Sequence, residues 1–305
     1  MSAPSVLYDA PGPKARGRNV GYTAAFALAL LAVAWVVYLK FDEKGQLDWT
    51  LWQPLLADGR TWTEFLLPGL LNTLIAGALA IVIALPVGAI FGIARLSDHA
   101  WIRTVAGTVV EFFRAIPVLI LMIFANEFYF LFTDVPADSR PLYAVVTGLV
   151  LYNASVLAEV VRSGILSLPK GQSEAAMALG LRKTQTMLTI LLPQAVTAML
   201  PAIVSQLVVV LKDTALGGAI LGYEDLLIQY RVISANFANT IPTLIVIAII
   251  YIVVNFALTQ LAVWLERWLR SRRRGALTGP DPDMLEEQAP GLDLSDTRKG
   301  QPVSA

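Results

Sequence analysis

The chain has 305 residues, 56% of them hydrophobic and only 15% charged, with a mean hydropathy of +0.63. So apolar a composition belongs to the membrane class rather than to soluble domains. A formal net charge of zero argues against nucleic-acid binding, and the absence of Cys with a single His, His99, argues against disulfides, thiolate catalysis, zinc sites and haem attachment.

A helix needs about 20 consecutive apolar residues to cross the hydrocarbon core of a bilayer. Val20 to Leu39 is uncharged and follows a leader carrying Lys14, Arg16 and Arg18. It is about twice as long as a signal sequence and has no A-x-A-type cleavage site before Lys40, which makes it an uncleaved anchor. The second run lies between Glu64 and Arg95, with Pro68 near its start and Pro86 inside. The third, Val105 to Phe132, is interrupted by Glu111, Arg114 and Glu127. Leu142 to Leu166 is the fourth, with Glu159 and Arg162 near its end. The fifth starts near Gln194, is uncharged through Leu211 and then meets Lys212 and Asp213, and Thr240 to Leu265 is the sixth. The sequence therefore predicts six membrane helices.

Lys and Arg collect on the cytoplasmic side of membrane proteins. With the N-terminus inside, the inner segments hold Lys14, Arg16, Arg18, Arg95, Arg103, Arg162, Lys170, Arg182, Lys183 and the run Arg267 to Arg274. The outer loops hold only Lys40, Lys44, Arg60, Arg140 and Arg231. Both termini are expected in the cytoplasm. The organisation predicted is a leader at 1–19, a first membrane helix at 20–39, an extracytoplasmic loop at 40–65 and a five-helix core at 66–265. A tail at 266–305 is basic and then disordered, its composition rich in Pro, Gly, Asp and Glu. The basic run suits contact with anionic lipid.

The inner segment "EAAMALGLRKTQTMLTILLPQAV", residues 174–196, carries helix signals of its own. Glu174 to Leu179 contains strong helix formers, with Glu placed favourably for a helix start. Gly180 suits the left-handed conformation that ends a helix. Thr184 is positioned to cap a second helix bearing Met187, Leu188 and Leu191, and Pro193 marks the junction with the fifth membrane helix. Ala175, Ala176 and Ala178 allow another backbone to approach closely. The result is a helix-turn-helix of small residues within a cytoplasmic loop spanning 167–193.

Glu174-Ala175-Ala176, Gly180, Ile190, Leu192 and Pro193 resemble, residue for residue and at the same spacing, the EAA loop of ABC importer permeases. Glu111-Phe112-Phe113-Arg114-Ala115-Ile116-Pro117 resembles the E-F-F-R-G-T-P stretch of the polar amino acid branch. "AEVVRSGILSLPKGQSEAA", 158–176, and "LKDTALG", 211–217, are similar to two further stretches of that branch. Ala115-Ile116 in place of Gly-Thr, Leu121 where a Gln is common and Ala215 in place of Ser depart from the pattern. The similarity covers about residues 66–265.

The resemblance implies an all-α integral membrane protein of six transmembrane helices with the type I ABC importer permease fold, in the plasma membrane of a bacterium. It implies the permease subunit of an ATP-driven, binding-protein-dependent importer of polar amino acids, of the glutamate type. Its partners would be an ABC ATPase held by the coupling loop, a second permease subunit (a copy or a sister chain) and an extracytoplasmic amino-acid-binding protein. A phosphate-cradling loop needs a Gly-Lys pair, and none occurs in the sequence. This chain is therefore not expected to be an enzyme or to bind a cofactor or metal; ATP and Mg²⁺ would be held by the separate ATPase.

Charged and amide side chains at membrane depth normally face a wet cavity or each other. Lys212 and Asp213 either cap the fifth helix at the outer interface or line the pathway near its outer gate, Lys212 then pairing with a substrate carboxylate or, when the site is empty, with Asp213. Glu127, Arg114 and Asn153 are further candidates for the same cavity. Two other readings are a secondary transporter using Glu127, Lys212 and Asp213 for a coupling ion, and a permease for another small solute. The first predicts inverted repeats, which the sequence lacks. A non-transporting scaffold would not need Asn126, Glu127, Asn153, Lys212 and Asp213 at such positions.

Overall fold

A computed structural model describes residues 12–274, and every regular element in that range is a helix. The first eleven residues and the expected tail from Gly275 onward lie outside the described residues. Among the described residues, five helices are long and apolar enough to span a membrane. One bent pair passes the same test as a single span, which completes the set of six.

The chain divides into two compact units. The smaller comprises residues up to Gly69 and Leu226–Ile249. It begins with α1, Pro13–Glu43, whose membrane-spanning stretch buries none of its surface in the chain. The expected outer loop at 40–65 contains a short helix, α2, Trp49–Leu56, and a wide π-type turn, Thr61–Leu66, that leads into α3, Leu67–Ala94. Pro68 has no N–H to give the carbonyl of Glu64, and a local π adjustment is one way a membrane helix absorbs that loss. Indole donors tie this segment together: Trp52 Nε1 donates to the Gln46 carbonyl at 2.9 Å and Trp62 Nε1 to that of Leu55 at 2.7 Å. The fully buried Asn239 donates from Nδ2 to the Leu51 carbonyl at 2.9 Å. It sits between α10, Gln229–Phe237, and α11, Thr240–Arg274.

The larger unit, Leu70–Asp225 with residues 250–274, is built around α6, Arg140–Leu166. One face of α6 is buried from Ala144 to Ile165 against α4, Ala100–Ala115, α5, Val118–Phe132, and α9, Leu192–Leu221. Met122, Val145, Leu149 and Val210 form its centre with Ala76, Ala80 and Tyr223. Helix α3 joins through small residues. A Cβ on Gly88 would lie 2.9 Å from the Ala154 carbonyl oxygen, and one on Gly92 would lie 2.7 Å from that of Ala158. Small residues at such crossings let membrane helices approach backbone to backbone, where dispersion rather than the hydrophobic effect holds them.

Two expected spans differ in the structure. The third is not continuous: α4 and α5 are bent by 100° to each other at Ile116–Pro117. Pro117 disfavours helical geometry in the residue before it, and Ile116 is extended, with φ −89° and ψ 130°. The fifth is longer than expected. Residues Lys183–Leu221 form one 39-residue helical run, with α8, Lys183–Gln185, and a second π-type turn, Thr186–Leu191, ahead of α9. Pro193 is therefore no junction. It lies in the first turn of α9, and the π turn before it takes up the missing donor as the one before Pro68 does.

Candidate coupling segment and substrate pathway

Pro169 precedes α7, Lys170–Ala178, so the first helix of the segment begins four residues before Glu174. Glu174 therefore stands in the second turn and is exposed, rather than in the first turn expected for it. Gly180 ends the helix with φ +80°. The Leu181 N–H donates to the Ala176 carbonyl at 3.1 Å and the Gly180 N–H to that of Met177 at 2.9 Å. This pair of bonds is the Schellman arrangement, which needs a left-handed residue at the glycine position.

The second helix starts one residue earlier than its expected cap. Thr184 lies inside α8, and the exposed N–H of Arg182 is taken by Gln185 Oε1 at 2.9 Å. Arg182 is extended, with ψ 152°, and a Gln three positions on reaches back to it. Of the motif residues, Ala176 is buried, Glu174, Ala175 and Gly180 are exposed, and Ile190, Leu192 and Pro193 are half-buried. Met187 anchors the segment in a cluster with Val161, Ile165, Ala195 and Met199, against which Leu192 packs. On the outer side Met177, Leu179 and Leu188 stay exposed, Leu179 at 83%.

Lys183 is ion-paired with Asp98, in the turn between α3 and α4. The hydrogen bond from Lys183 holds the Asp98 carboxyl below the usual carboxylate range, against a smaller opposing effect of desolvation. Behind the same turn Arg95 forks between two carboxylates, Nη1 to Glu159 Oε2 at 2.7 Å and Nη2 to Glu111 Oε1 at 3.0 Å. Arg114 completes Glu111 at 2.8 Å and Arg162 completes Glu159 at 2.9 Å. Sequence reading missed this network, although the i, i+3 pairs Glu111–Arg114 and Glu159–Arg162 carry a legible signal. Arg114 is thus engaged in an ion-pair cluster with the end of α3.

The remaining pathway candidates are not gathered into one cluster. Asn153 is fully buried; its Nδ2 donates to the Leu149 carbonyl at 2.8 Å and its Oδ1 accepts from Gln206 Nε2 at 2.5 Å. Gln206, on α9, was not singled out in the sequence, being an uncharged polar residue in a long apolar run. Lys212 is exposed and Asp213 half-buried. They stand more than two turns before the end of α9 at Leu221, so they do not cap it. Successive helix positions point about 100° apart, and among the described residues no ion pair joins them. Glu127 lines a cavity of about 610 Å³ in the elbow between α4 and α5, amid Phe112, Phe113, Phe124 and Phe128, with Asn126 Nδ2 at 3.5 Å.

Residues 84–271 match the family described as the inner membrane component of binding-protein-dependent transport systems. The chain belongs to that family. This permease is 45% identical over 256 residues to the glutamate transport system permease protein GluD of Corynebacterium glutamicum, covering 83% of this chain and 91% of the relative. It is 32% identical to the glutamate/glutamine/aspartate/asparagine transport system permease protein BztC of Rhodobacter capsulatus, over 88% of this chain and 61% of that one. Among solved structures, that of an amino acid ABC transporter with histidines aligns with a TM-score of 0.61 and 29% identity, over 68% of this permease and 94% of that chain. The MetNI methionine ABC transporter, at 23% identity and a TM-score of 0.56, shares the fold. The permease has the type I importer fold that the motif residues imply.

Proposed function

We propose that this permease carries polar amino acids, L-glutamate first among them, inward across the bacterial plasma membrane, with both termini in the cytoplasm. The observation that carries the reading is the coupling segment. A left-handed Gly180 locks α7, and three apolar side chains stand exposed around that turn. A rigid knob of this kind suits a groove on an ATPase that binds ATP and Mg²⁺ while this chain binds neither. The 45% identity to GluD supports glutamate as cargo.

The mechanism is alternating access. Two permease subunits enclose the pathway, each held by one ATPase through residues 167–193. Closure of the ATPases around ATP moves the two segments together and opens the outer side to a loaded binding protein; hydrolysis resets them. Lys212 serves as the cation for a substrate carboxylate in that pathway. Asp213 and Glu127 would serve as polar lining, whereas Asn153, fully buried against Gln206, holds α6 to α9 and Arg114 belongs to the ion-pair cluster at the end of α3.

A deletion strain complemented with the permease tests the cargo. Labelled L-glutamate is offered with an excess of unlabelled glutamine, aspartate, asparagine, arginine or histidine in turn. Glutamate uptake restored by the gene and displaced best by acidic or amide amino acids supports the reading; uptake of arginine in its place would reassign the substrate.

A further inference from the structure

Residues 95–99, the turn between α3 and α4, hold one charged side chain toward the coupling segment and another toward the helical core. Asp98 pairs with Lys183 at the start of α8. Arg95, three residues earlier, has a side chain only 13% exposed and grips Glu111 on α4 and Glu159 on α6 together. The turn between them is tied to itself. The Ser97 N–H donates to the Ala94 carbonyl at 3.1 Å, the His99 N–H to Ser97 Oγ at 3.2 Å, and Arg103 Nη1 to the Ser97 carbonyl at 2.9 Å. A displacement of Asp98 must therefore carry Arg95 with it.

Leu96 of this turn and Ile93 just before it pack against the cluster that holds Met187. A cavity of about 290 Å³ opens beside that contact, lined by Ile93, Leu96, His99, Ile102, Met187 and Leu188. Among the described residues the Asp98–Lys183 pair is the one ion pair that joins residues 167–193 to another part of the chain. Both of its side chains are largely exposed, and pairs of that kind contribute little to folding stability. A charged tether beside an apolar contact transmits displacement without being needed for the fold. Beyond Arg95, Glu111 and Arg114 stand on the last turns of α4, next to the break at Ile116–Pro117 where the span changes direction by 100°.

We propose that the α3–α4 turn is a second transmission path from the coupling segment to the membrane span. Lys183 moves Asp98, and Arg95 passes that motion to α4 ahead of its break and to α6. The path runs beside the covalent route through α9, and it rests on the coupling role of residues 167–193. Asp98, Lys183 and Arg95 are positioning residues in it, acting on the pathway through α4. Coupling of this kind is demonstrated by paired substitutions rather than by proximity.

Charge reversal supplies those pairs. Asp98→Lys, Lys183→Asp and the double exchange Asp98→Lys/Lys183→Asp are compared with wild type in the complete complex of permease, ATPase and binding protein. Each single reversal lowers ATP-driven uptake of labelled L-glutamate about five- to tenfold, in the range of ordinary coupling energies. Thermal midpoints and ATPase co-purification stay at wild-type values, so the lost uptake is not a loss of fold or assembly. The double exchange restores uptake to within about twofold, as expected for one interacting pair. Stimulation of ATP hydrolysis by the binding protein, measured on the same four complexes, follows the same order and needs no knowledge of the cargo. Unchanged hydrolysis and uptake in the single variants, or a double exchange as impaired as the worse single, overturns the proposal. A wild-type complex that hydrolyses ATP under control of the binding protein but takes up no amino acid overturns only the cargo assignment.

Discussion

Gln206 Nε2 on α9 donates to Asn153 Oδ1 on α6 at 2.5 Å, within an otherwise apolar helix contact. Asn153 is fully buried, so truncating Gln206 leaves a buried acceptor unpaired, at a cost of about 1–3 kcal/mol. Gln206→Leu should lower the thermal midpoint of the detergent-purified permease. Gln206→Leu with Asn153→Leu should lose less than the two single changes summed, because the double variant buries no unpaired group. Strict additivity of the midpoint shifts would show that the bond contributes nothing.

Gly180 tests backbone strain apart from steric fit. A Cβ there would meet nothing within 4 Å, yet φ is +80°. An L residue pays roughly 1–2 kcal/mol for that conformation, and Asn tolerates it better than a β-branched side chain. Transport should fall in the order Gly, Asn, Ala, Val, with membrane levels of the protein unchanged. Equal uptake by Gly180→Val and wild type would mean that the left-handed turn has no part in coupling.

At Gly92 the opposite holds. The conformation is ordinary, but a Cβ would press to 2.7 Å on the Ala158 carbonyl oxygen and 2.8 Å on Val161 Cβ. Overpacking of this kind costs about 1–3 kcal/mol. Gly92→Val should reduce the amount of folded permease recovered from membranes, seen as a loss of the monodisperse peak in size-exclusion chromatography, while Gly107→Ala, which meets nothing within 4 Å, should not.

The orientation is tested by labelling. Asp48→Cys and Asp138→Cys should react with a membrane-impermeant maleimide in intact cells. Leu179→Cys, at 83% exposure the most accessible apolar position of the coupling segment, should react only after the cells are opened. Labelling of position 179 from outside would invert the topology.

Much of this was legible in the sequence because it rests on local signals. Apolar run length marked the spans, and Gly180 marked the left-handed turn between the two short helices of residues 170–191. What escaped was set by backbone chemistry near prolines and by tertiary partners. Pro117 turned one expected span into a bent pair, and Pro193 proved compatible with a continuous helix because a π-type turn precedes it. Thr184 lost the capping position because Gln185 reaches the Arg182 N–H first. Arg114 shares Glu111 with Arg95, and only the fold brings Arg95 within 2.7 Å of Glu159, 64 positions away.

The central claim is that this chain is the membrane path of an ATP-driven importer. Reconstitution into proteoliposomes with its ATPase, any sister permease and the binding protein tests it most directly, by uptake of labelled L-glutamate with ATP inside or outside the vesicle and with Lys212→Met as the control. Uptake into the vesicle should require the binding protein on the uptake side and ATP on the opposite side, persist after sodium and proton gradients are collapsed, and fall at least about tenfold in Lys212→Met, which removes the proposed cation for the substrate carboxylate. Uptake that runs without ATP and stops when the ion gradients are collapsed would contradict the account.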